Sequence, residues 1–434
     1  MEQIRLVVPD WPYRLVQDGR AAGAAPVGPV EVVCDGGRVR LRSAAFTSEA
    51  AEVLTIAPLG DVSLEPGGGI TAHGLVAGRG FHWQKRVDFS FVGAMEFRVC
   101  EGYLLAVNEL PLESYLAGVI TAEMSGACPL EFLKSQILVA RAWVLAHSED
   151  KHPGLPIDRC NDDCCQRYQG TTFLTPSAVR AVADTRGQVV FHASGGIIDA
   201  NYSKSCGGII EAPEHVWGVS KAGQRAGVDA PAGSAVARFL PVTEVNIGEY
   251  LGGAWLRQAD CFCSPNVVPE DQLPRYLGSV DEGGSYFRWN VEYTREELER
   301  VLRAKYFSRL DPASAAELGT LTDLRPLRRG CSGRVIELGV HYLDPAGRPC
   351  VKVITDQYRI RDALHEKFLY SSAFDVRAER DGDGALARVT LRGAGWGHGA
   401  GLCQIGALGM ALCGYEAVEI IGHYFADVET RTCY

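Results

Sequence analysis

No stretch of about 18 uninterrupted apolar residues occurs in the chain, so the sequence offers no transmembrane helix. The first residues, MEQIRLVV, meet charge within a few positions and lack the basic start and continuous apolar run of a secretory signal. No export address is read from them. Long single-sign charge runs are missing too, and with 43 Lys+Arg against 53 Asp+Glu the formal net charge of -10 gives no general affinity for nucleic acid. A local Arg/Lys cleft can still meet an anionic polymer. Several catalytic signatures are absent: there is no GxSxG elbow, no HExxH helix and no CGxCW-like cysteine setting. The Gly-rich segment near the end lacks both a GK[ST] ending and a preceding dinucleotide-type strand, which removes the P-loop and Rossmann readings. A cysteine hydrolase would have to be built on Cys206, the only thiol in a small-residue turn (NYSKSCGG), with His215 as the nearest downstream histidine.

What is present is ample core material. With 47% hydrophobic residues over 434 positions, the chain can form one large or roughly two to three ordinary domains. Its fourteen cysteines are unevenly spaced in a protein too large to need a disulfide framework, so most read as small buried hydrophobes. Up to about residue 100, short β-rich runs (IRLVV, VEVVC, RVRLR, RVDFSFVG, MEFRVC) alternate with Gly/Pro turns, as antiparallel strands do. After Pro111 the spacing becomes helical in LESYLAGVITAEM, and EFLKSQILVARAWVLAHSE (131–149) predicts an amphipathic helix with Lys134, Gln136 and Arg141 off its apolar stripe. Further strands are expected in GQVVFHASGGIIDANYS and around VIELGVHYL, a charged surface helix at 292–307, and two helical stretches after the terminal Gly-rich loop, the first ended by Gly414. Strands and helices mix without strict βαβ alternation, so the fold class is α+β. The expected organisation is a β-rich segment 1–85 followed by a catalytic region 86–434, with an irregular insertion at 219–290.

Three constellations can carry chemistry. Glu123, in ITAEMSGACPLEF, falls where an apolar helix meets a loop, a setting that raises a carboxyl pKa and suits a general acid. A capping or ion-paired glutamate is the plainer alternative. Its competitors Glu113 and Glu131 read as an exposed helix-start residue and a dipole-favoured first-turn residue. In AGWGHGAGLCQIGALGM, dense glycines let the backbone approach a ligand, and Trp396 with His398 suits a sugar-stacking surface, unless Trp396 simply fills core. HPGLPIDRCNDDCCQRYQG gathers His152, Cys160, Cys164 and Cys165. Zn²⁺ on His152, Cys160 and Cys165 is one reading, because adjacent Cys164 and Cys165 are not expected to reach one ion together; a disulfide or inert thiols are the others.

From about Arg86 onward the chain resembles the SpoIID/LytB family (stage II sporulation protein D and amidase enhancer). The resemblance rests on blocks in family order: NELPLESYLAGVITAEM with PLEFLKSQILVARAWVLAH, CQRYQG, ADTRGQVV with ANYSKSCGG and VW, FRWNVEYTREEL, and GAGWGHGAGLCQIGALGMA. It implies a peptidoglycan lytic transglycosylase that cuts between N-acetylmuramic acid and N-acetylglucosamine, on strands often already stripped of peptide, and leaves 1,6-anhydro ends. It carries the catalytic role onto Glu123, a family arginine onto Arg141, and a zinc set approximately onto His152, Cys160 and Cys165, with no cofactor required for catalysis. Implied partners are peptidoglycan glycan strands and an N-acetylmuramoyl-L-alanine amidase, with no nucleic acid; a non-catalytic amidase enhancer is the rival function. An extracytoplasmic or wall-associated place is expected from the family. Arg141 and Lys134 are candidates for reading the lactyl carboxylate, and Gln136, Tyr168, Tyr202, Trp396, His398 and Gln404 for sugar contacts. Three departures stand out: Trp143 after the arginine, Cys403 ahead of Gln404, and above all the lack of a signal-peptide pattern where the family works outside the cytoplasm.

Overall fold

The structure, a computed structural model, describes residues 2–79, 84–146, 149–278, 281, 284–310 and 316–434. Contacts divide the chain into two compact units, one of Met1–Gln188, Arg275–Glu282 and Thr432–Tyr434, the other of Val189–Pro274 and Gly283–Arg431. Residues 85 and 86 both lie in the first unit, and of the segment 219–290 only 275–282 belongs to it.

In the first unit, alternation of apolar and polar residues produces two five-stranded antiparallel sheets. One runs in the order Arg38–Ser43, Gly28–Asp35, Gln3–Val8, Ile70–Ala77, Lys85–Phe91. The other runs Tyr103–Glu109, Ala94–Cys100, Val53–Pro58, Tyr13–Gln17, Arg20–Ala24. Ile4, Leu6, Leu15, Leu41, Phe89 and Phe97 point inward and are buried. Each such side chain contributes about 1.5–3 kcal/mol through burial.

Three helices follow: α1 (Leu112–Glu123), α2 (Leu130–Ala146) and α3 (Pro176–Asp184), which pack on one another. Pro111 precedes α1 in an extended conformation, and Met124 ends it by turning extended while its N–H still bonds to the Ile120 carbonyl. The helix predicted for 131–149 is observed to Ala146, and residues 147–148 lie outside the described ones. One feature of it differs from expectation. Gln136 and Arg141, placed off the apolar stripe by the sequence, are both fully buried, because α2 is enclosed by other elements rather than lying on a surface. Gly118 in α1 permits a close approach: a Cβ there would fall 2.5 Å from the Tyr168 ring and 2.6 Å from the Gly170 carbonyl oxygen. The CQRYQG segment is thereby laid directly on α1.

The second unit holds two three-stranded antiparallel sheets, Arg288–Thr294/Leu386–Ala394/Phe374–Arg380 and Thr320–Arg329/Val335–Leu343/Pro349–Thr355. Their inner faces, with Leu298 and Leu302 of a helix at Arg295–Leu302, form one apolar cluster around Phe307, Leu338, Phe374 and Leu391. The helix expected at 292–307 starts later than the charge pattern suggested. Residues 292–294 finish a strand, and Thr294 caps the helix by accepting from the Glu297 N–H while the Glu297 side chain returns to the Thr294 N–H. The terminal helices run Gln404–Leu412 and Ala417–Tyr424, with Gly414 between them at φ +92°. Helices and antiparallel strands thus mix without βαβ units, and the fold class is α+β.

Candidate functional site

Glu123 is the last residue of α1, and its side chain stands at the helix-to-loop boundary that the sequence predicted, 7% exposed. One carboxylate oxygen accepts the backbone N–H of Arg167 at 3.1 Å. The Arg167 guanidinium donates to Asp281 at 2.6 Å and binds Asp163 through its Nε. Burial works against its charge, yet Asp281, Asp163 and Glu123 hold its pKa well above the ordinary arginine value. Both neighbouring aspartates are therefore engaged by the same cation. Residues 275–278 lie along the end of α1: Ser125 N–H bonds to the Tyr276 carbonyl, and Met124 pairs with Leu277.

Tyr115, on the same helix, donates to Gln166 at 3.1 Å and stands 5.0 Å from the Tyr168 ring. Burial raises its pKa well above the usual phenol, and the charges of Cys165 and Glu123 add to the effect. The carboxyl and the cysteine loop therefore share one environment.

That loop contains four potential ligands. His152, Cys160, Cys164 and Cys165 bring one ligand atom each to within 4.8 Å of one another. The expectation that Cys164 and Cys165 could not converge is corrected: Cys165 Sγ lies 3.4 Å and Cys164 Sγ 3.8 Å from His152 Nε2. A turn at Asp162–Cys165, closed by the Cys165 N–H to the Asp162 carbonyl, folds the chain so that adjacent thiols face inward together. Zinc bonds of about 2.3 Å to sulfur and 2.0–2.1 Å to nitrogen in a tetrahedron put sulfur and nitrogen about 3.6 Å apart, which the two distances bracket. All four donors converge, but Cys160 Sγ and Cys164 Sγ stand 2.9 Å apart, closer than the roughly 3.8 Å of two sulfurs on one tetrahedral zinc, so binding an ion there would require those two to separate. Hydrogen bonds within the cluster lower the Cys165 pKa and raise that of Cys164, so the negative charge falls on one sulfur.

Other candidates in this unit are tied into its frame. Glu113, read as exposed, is buried at 7% exposure, and it forms a two-point pair with fully buried Arg141: Nε to Oε1 at 3.1 Å and Nη2 to Oε2 at 2.6 Å. Arg141 also donates to the Gln188 carbonyl at 3.0 Å, and Glu113 accepts from Tyr434 at 2.6 Å. This arginine has no surface to offer a sugar. Lys134 pairs with Glu131 at 2.9 Å and Asp184 at 3.5 Å. The Tyr168 hydroxyl donates to Asn108 at 2.6 Å, within the packing against Phe91 and Tyr115. Gln136 is fully buried, and its amide has no hydrogen-bond partner among the described residues.

The second unit holds the Gly-rich loop. Trp396 is half-buried between Tyr286 and Tyr370, each with its ring centroid 4.5 Å away, so three aromatic faces are layered there. His398 is spent on the backbone. Its Nδ1 accepts the Ala400 N–H at 3.1 Å, which leaves the proton on Nε2 to donate to the Tyr202 carbonyl at 2.9 Å. Burial, with Arg334 and Arg361, lowers its pKa to about 3, so the imidazole is a neutral clamp rather than a free sugar contact. Tyr202 pairs with Leu402 in a short parallel bridge, and Gln404 is buried at the start of its helix. Cys206 is buried, and burial raises its pKa well above the usual thiol, which removes it as a nucleophile.

The sequence reading missed Arg167, Asp163 and Asp281, and it named Cys164 but left it out of the metal set. Asp163 and Arg167 stand four apart in DDCCQR, a spacing that signals a local pair. Asp281 lies 114 positions from Arg167 and left no local signal.

Comparison with known proteins locates the chain further. Residues 101–192, which contain α1, α2 and the cysteine loop, match the SpoIID family, described as "Stage II sporulation protein". Residues 256–401 match a domain of unknown function, DUF8618. An uncharacterised protein of Brachyspira hyodysenteriae is 25% identical over 339 residues, covering 78% of this chain and 72% of its own length. The amidase enhancer of Bacillus subtilis is 33% identical over 329 residues, 74% of this chain but only 40% of that protein.

Proposed function

The chain belongs to the SpoIID/LytB family, and from that premise we propose that it is a peptidoglycan lytic transglycosylase with Glu123 as its single acid/base. The observation that supports this most is the setting of Glu123: a buried carboxyl at a helix end, beside two aspartates already bound to Arg167. A glycosidase using two carboxyl groups needs a second free one to activate water or attack the sugar. Here one carboxyl suffices. It protonates the glycosidic oxygen between N-acetylmuramic acid and N-acetylglucosamine, and the departing N-acetylglucosamine takes that proton with it. The resulting carboxylate then removes the C6 hydroxyl proton as O6 attacks the anomeric carbon, which closes the 1,6-anhydro ring and restores the acid. The carboxyl stands at the C-terminal end of α1 and accepts the Arg167 amide, which orients it for both proton transfers.

Zn²⁺ on His152, Cys160, Cys164 and Cys165 would supply structural fixation only. The loop it fixes carries Asp163 and the Arg167 amide that orient the carboxylate. With Arg141 committed to Glu113, its role is positioning: it holds α1 and α2 in register. The Trp396 stack is the favoured sugar-binding face of the second unit. Glycan strands of the wall are the substrate, which places the action outside the cytoplasm, and an amidase that strips peptides is the natural partner.

The printed name of the Bacillus relative favours a second reading, in which the protein binds wall glycan and stimulates an amidase without cutting it. Glu123→Gln separates the two. On amidase-treated peptidoglycan, mass spectrometry should find 1,6-anhydro products with the parent protein and none with the variant, while both still sediment with the wall. Equal products from the variant would end the catalytic assignment, and no products from either would favour the enhancer.

A further inference from the structure

We propose a second metal site in the chain, a buried Zn²⁺ held by Cys206, Cys263, Cys403 and Asp229 in the second unit. One ligand atom from each lies within 4.8 Å of the others, and all four residues are buried. They come from four separate segments: the NYSKSCGG turn, the strand end at Asp229, the CFC segment, and the residue capping the helix Gln404–Leu412. Convergence of three thiols and a carboxylate in a dry interior has no apolar explanation. A buried carboxylate needs compensation by charge or by hydrogen-bond donors. Among the described residues the only ion-pair partner of Asp229 is His423, at 3.8 Å.

The backbone around the sulfurs is arranged as for thiolates. Gly208 N–H points at Cys206 Sγ at 3.3 Å, two residues ahead in a turn where Gly207 and Gly208 both have positive φ. Cys403 Sγ accepts the N–H of Cys206 at 3.2 Å and that of Gly406 at 3.3 Å, the latter in the first turn of the helix it caps. The carboxylate is oriented from both sides: Tyr424 Oη, outside the set, donates to Oδ1 at 2.7 Å, and the Cys206 thiol donates to Oδ2 at 3.1 Å, a proton the metal would displace. Gly406 makes room for it, since a Cβ there would fall 2.5 Å from the carboxylate. Three sulfurs and one oxygen in a compact set suit tetrahedral Zn²⁺, whose two positive charges would offset half of the four negative ones.

The site would fasten the Gly-rich loop. Cys403 follows that loop directly, and Ser205, beside Cys206, exchanges two backbone hydrogen bonds with Trp396, at 2.8 and 3.0 Å. One ion would thus hold both strands that carry the Trp396 stack. The closest rival is a Cys206–Cys263 disulfide, since those sulfurs are 3.8 Å apart.

The experiment is a metal count by plasma mass spectrometry on the whole protein, with intact mass measured in parallel. Cys160→Ser/Cys165→Ser, which disables only the loop of the first unit, should keep one equivalent of zinc, and cobalt exchanged into it should show sulfur-to-cobalt charge-transfer absorption. Asp229→Asn should hold one equivalent less than the parent. A metal-free Cys160→Ser/Cys165→Ser protein overturns the proposal, as does a mass 2 Da low from a disulfide mapped to Cys206 and Cys263. If the double variant does not fold, the Asp229→Asn count decides alone, and a count equal to the parent's overturns the site.

Discussion

Arg141→Met tests whether this arginine frames the site or reads substrate. The guanidinium is fully buried and makes charge-assisted bonds of 2.6 and 3.1 Å to Glu113, with a third bond to the Gln188 carbonyl. Removing one partner of a buried pair costs about 3–5 kcal/mol, because the other charge is left uncompensated. Glu113 would keep its donors Tyr434 and Gly187, so the loss should fall at the low end, about 3 kcal/mol. For a unit of this size that corresponds to a fall in melting temperature of roughly 6–12 °C by scanning calorimetry. Arg141→Met/Glu113→Gln should recover about half of it, since no buried charge then remains. Below its own melting transition the single variant should sediment with wall glycan as the parent does. A loss under about 1 kcal/mol, or a double variant less stable than the single one, refutes the structural role. Glycan binding abolished in a protein of unchanged stability would return Arg141 to substrate reading.

Two further outcomes follow from the same geometry. Burial opposes the charge of Glu113, but its bonds from Arg141 and Tyr434 outweigh that and hold its pKa below the ordinary glutamate value. A carboxylate with a depressed folded-state pKa contributes stability above its unfolded value and loses it as pH falls through the folded one. Melting temperature should therefore drop as pH is lowered from about 4.5, with a shallower slope in Arg141→Met, and equal slopes would contradict the assignment. Cys164→Ser should weaken zinc binding as strongly as Cys165→Ser in a competition titration with a chromophoric chelator. Unchanged affinity would restore the three-ligand set of His152, Cys160 and Cys165.

Much of the framework was legible because it depends on local pattern. The alternating runs before residue 100 became antiparallel strands, and the helical spacing after Pro111 put Glu123 at a helix end. What failed has a common cause. Glu113 was assigned to the surface because its neighbours in sequence suggest a helix start, and Arg141 was set off the apolar stripe because it is charged. Each is buried by satisfying the other across 28 positions, a compensation no window of residues displays. His398 shows the same limit: an imidazole among glycines suggests ligand contact, but the backbone at Tyr202 and Ala400 takes both nitrogens. Cys164 failed for a different reason, since whether adjacent thiols converge depends on a turn conformation that the spacing does not specify.

The same distinction explains why Glu123 remains the candidate. Glu113 lies on the same helix and Arg167 in the same neighbourhood, yet Glu113 is closed off by Arg141, Tyr434 and Gly187, and Arg167 is neutralised by Asp163 and Asp281. A proton-transfer group must be able to lose its proton and regain it during turnover, which a carboxylate locked by a guanidinium cannot do at useful cost. Glu123 accepts the backbone N–H of Arg167 at 3.1 Å, a bond that orients one of its oxygens. If Arg167 acts as the orienting element, shifting the loop that carries it should misplace the Glu123 carboxyl without unfolding α1. Replacing Cys164 and Cys165 by Ser should then lower turnover more than wall binding, whereas Glu123→Gln should lower turnover alone.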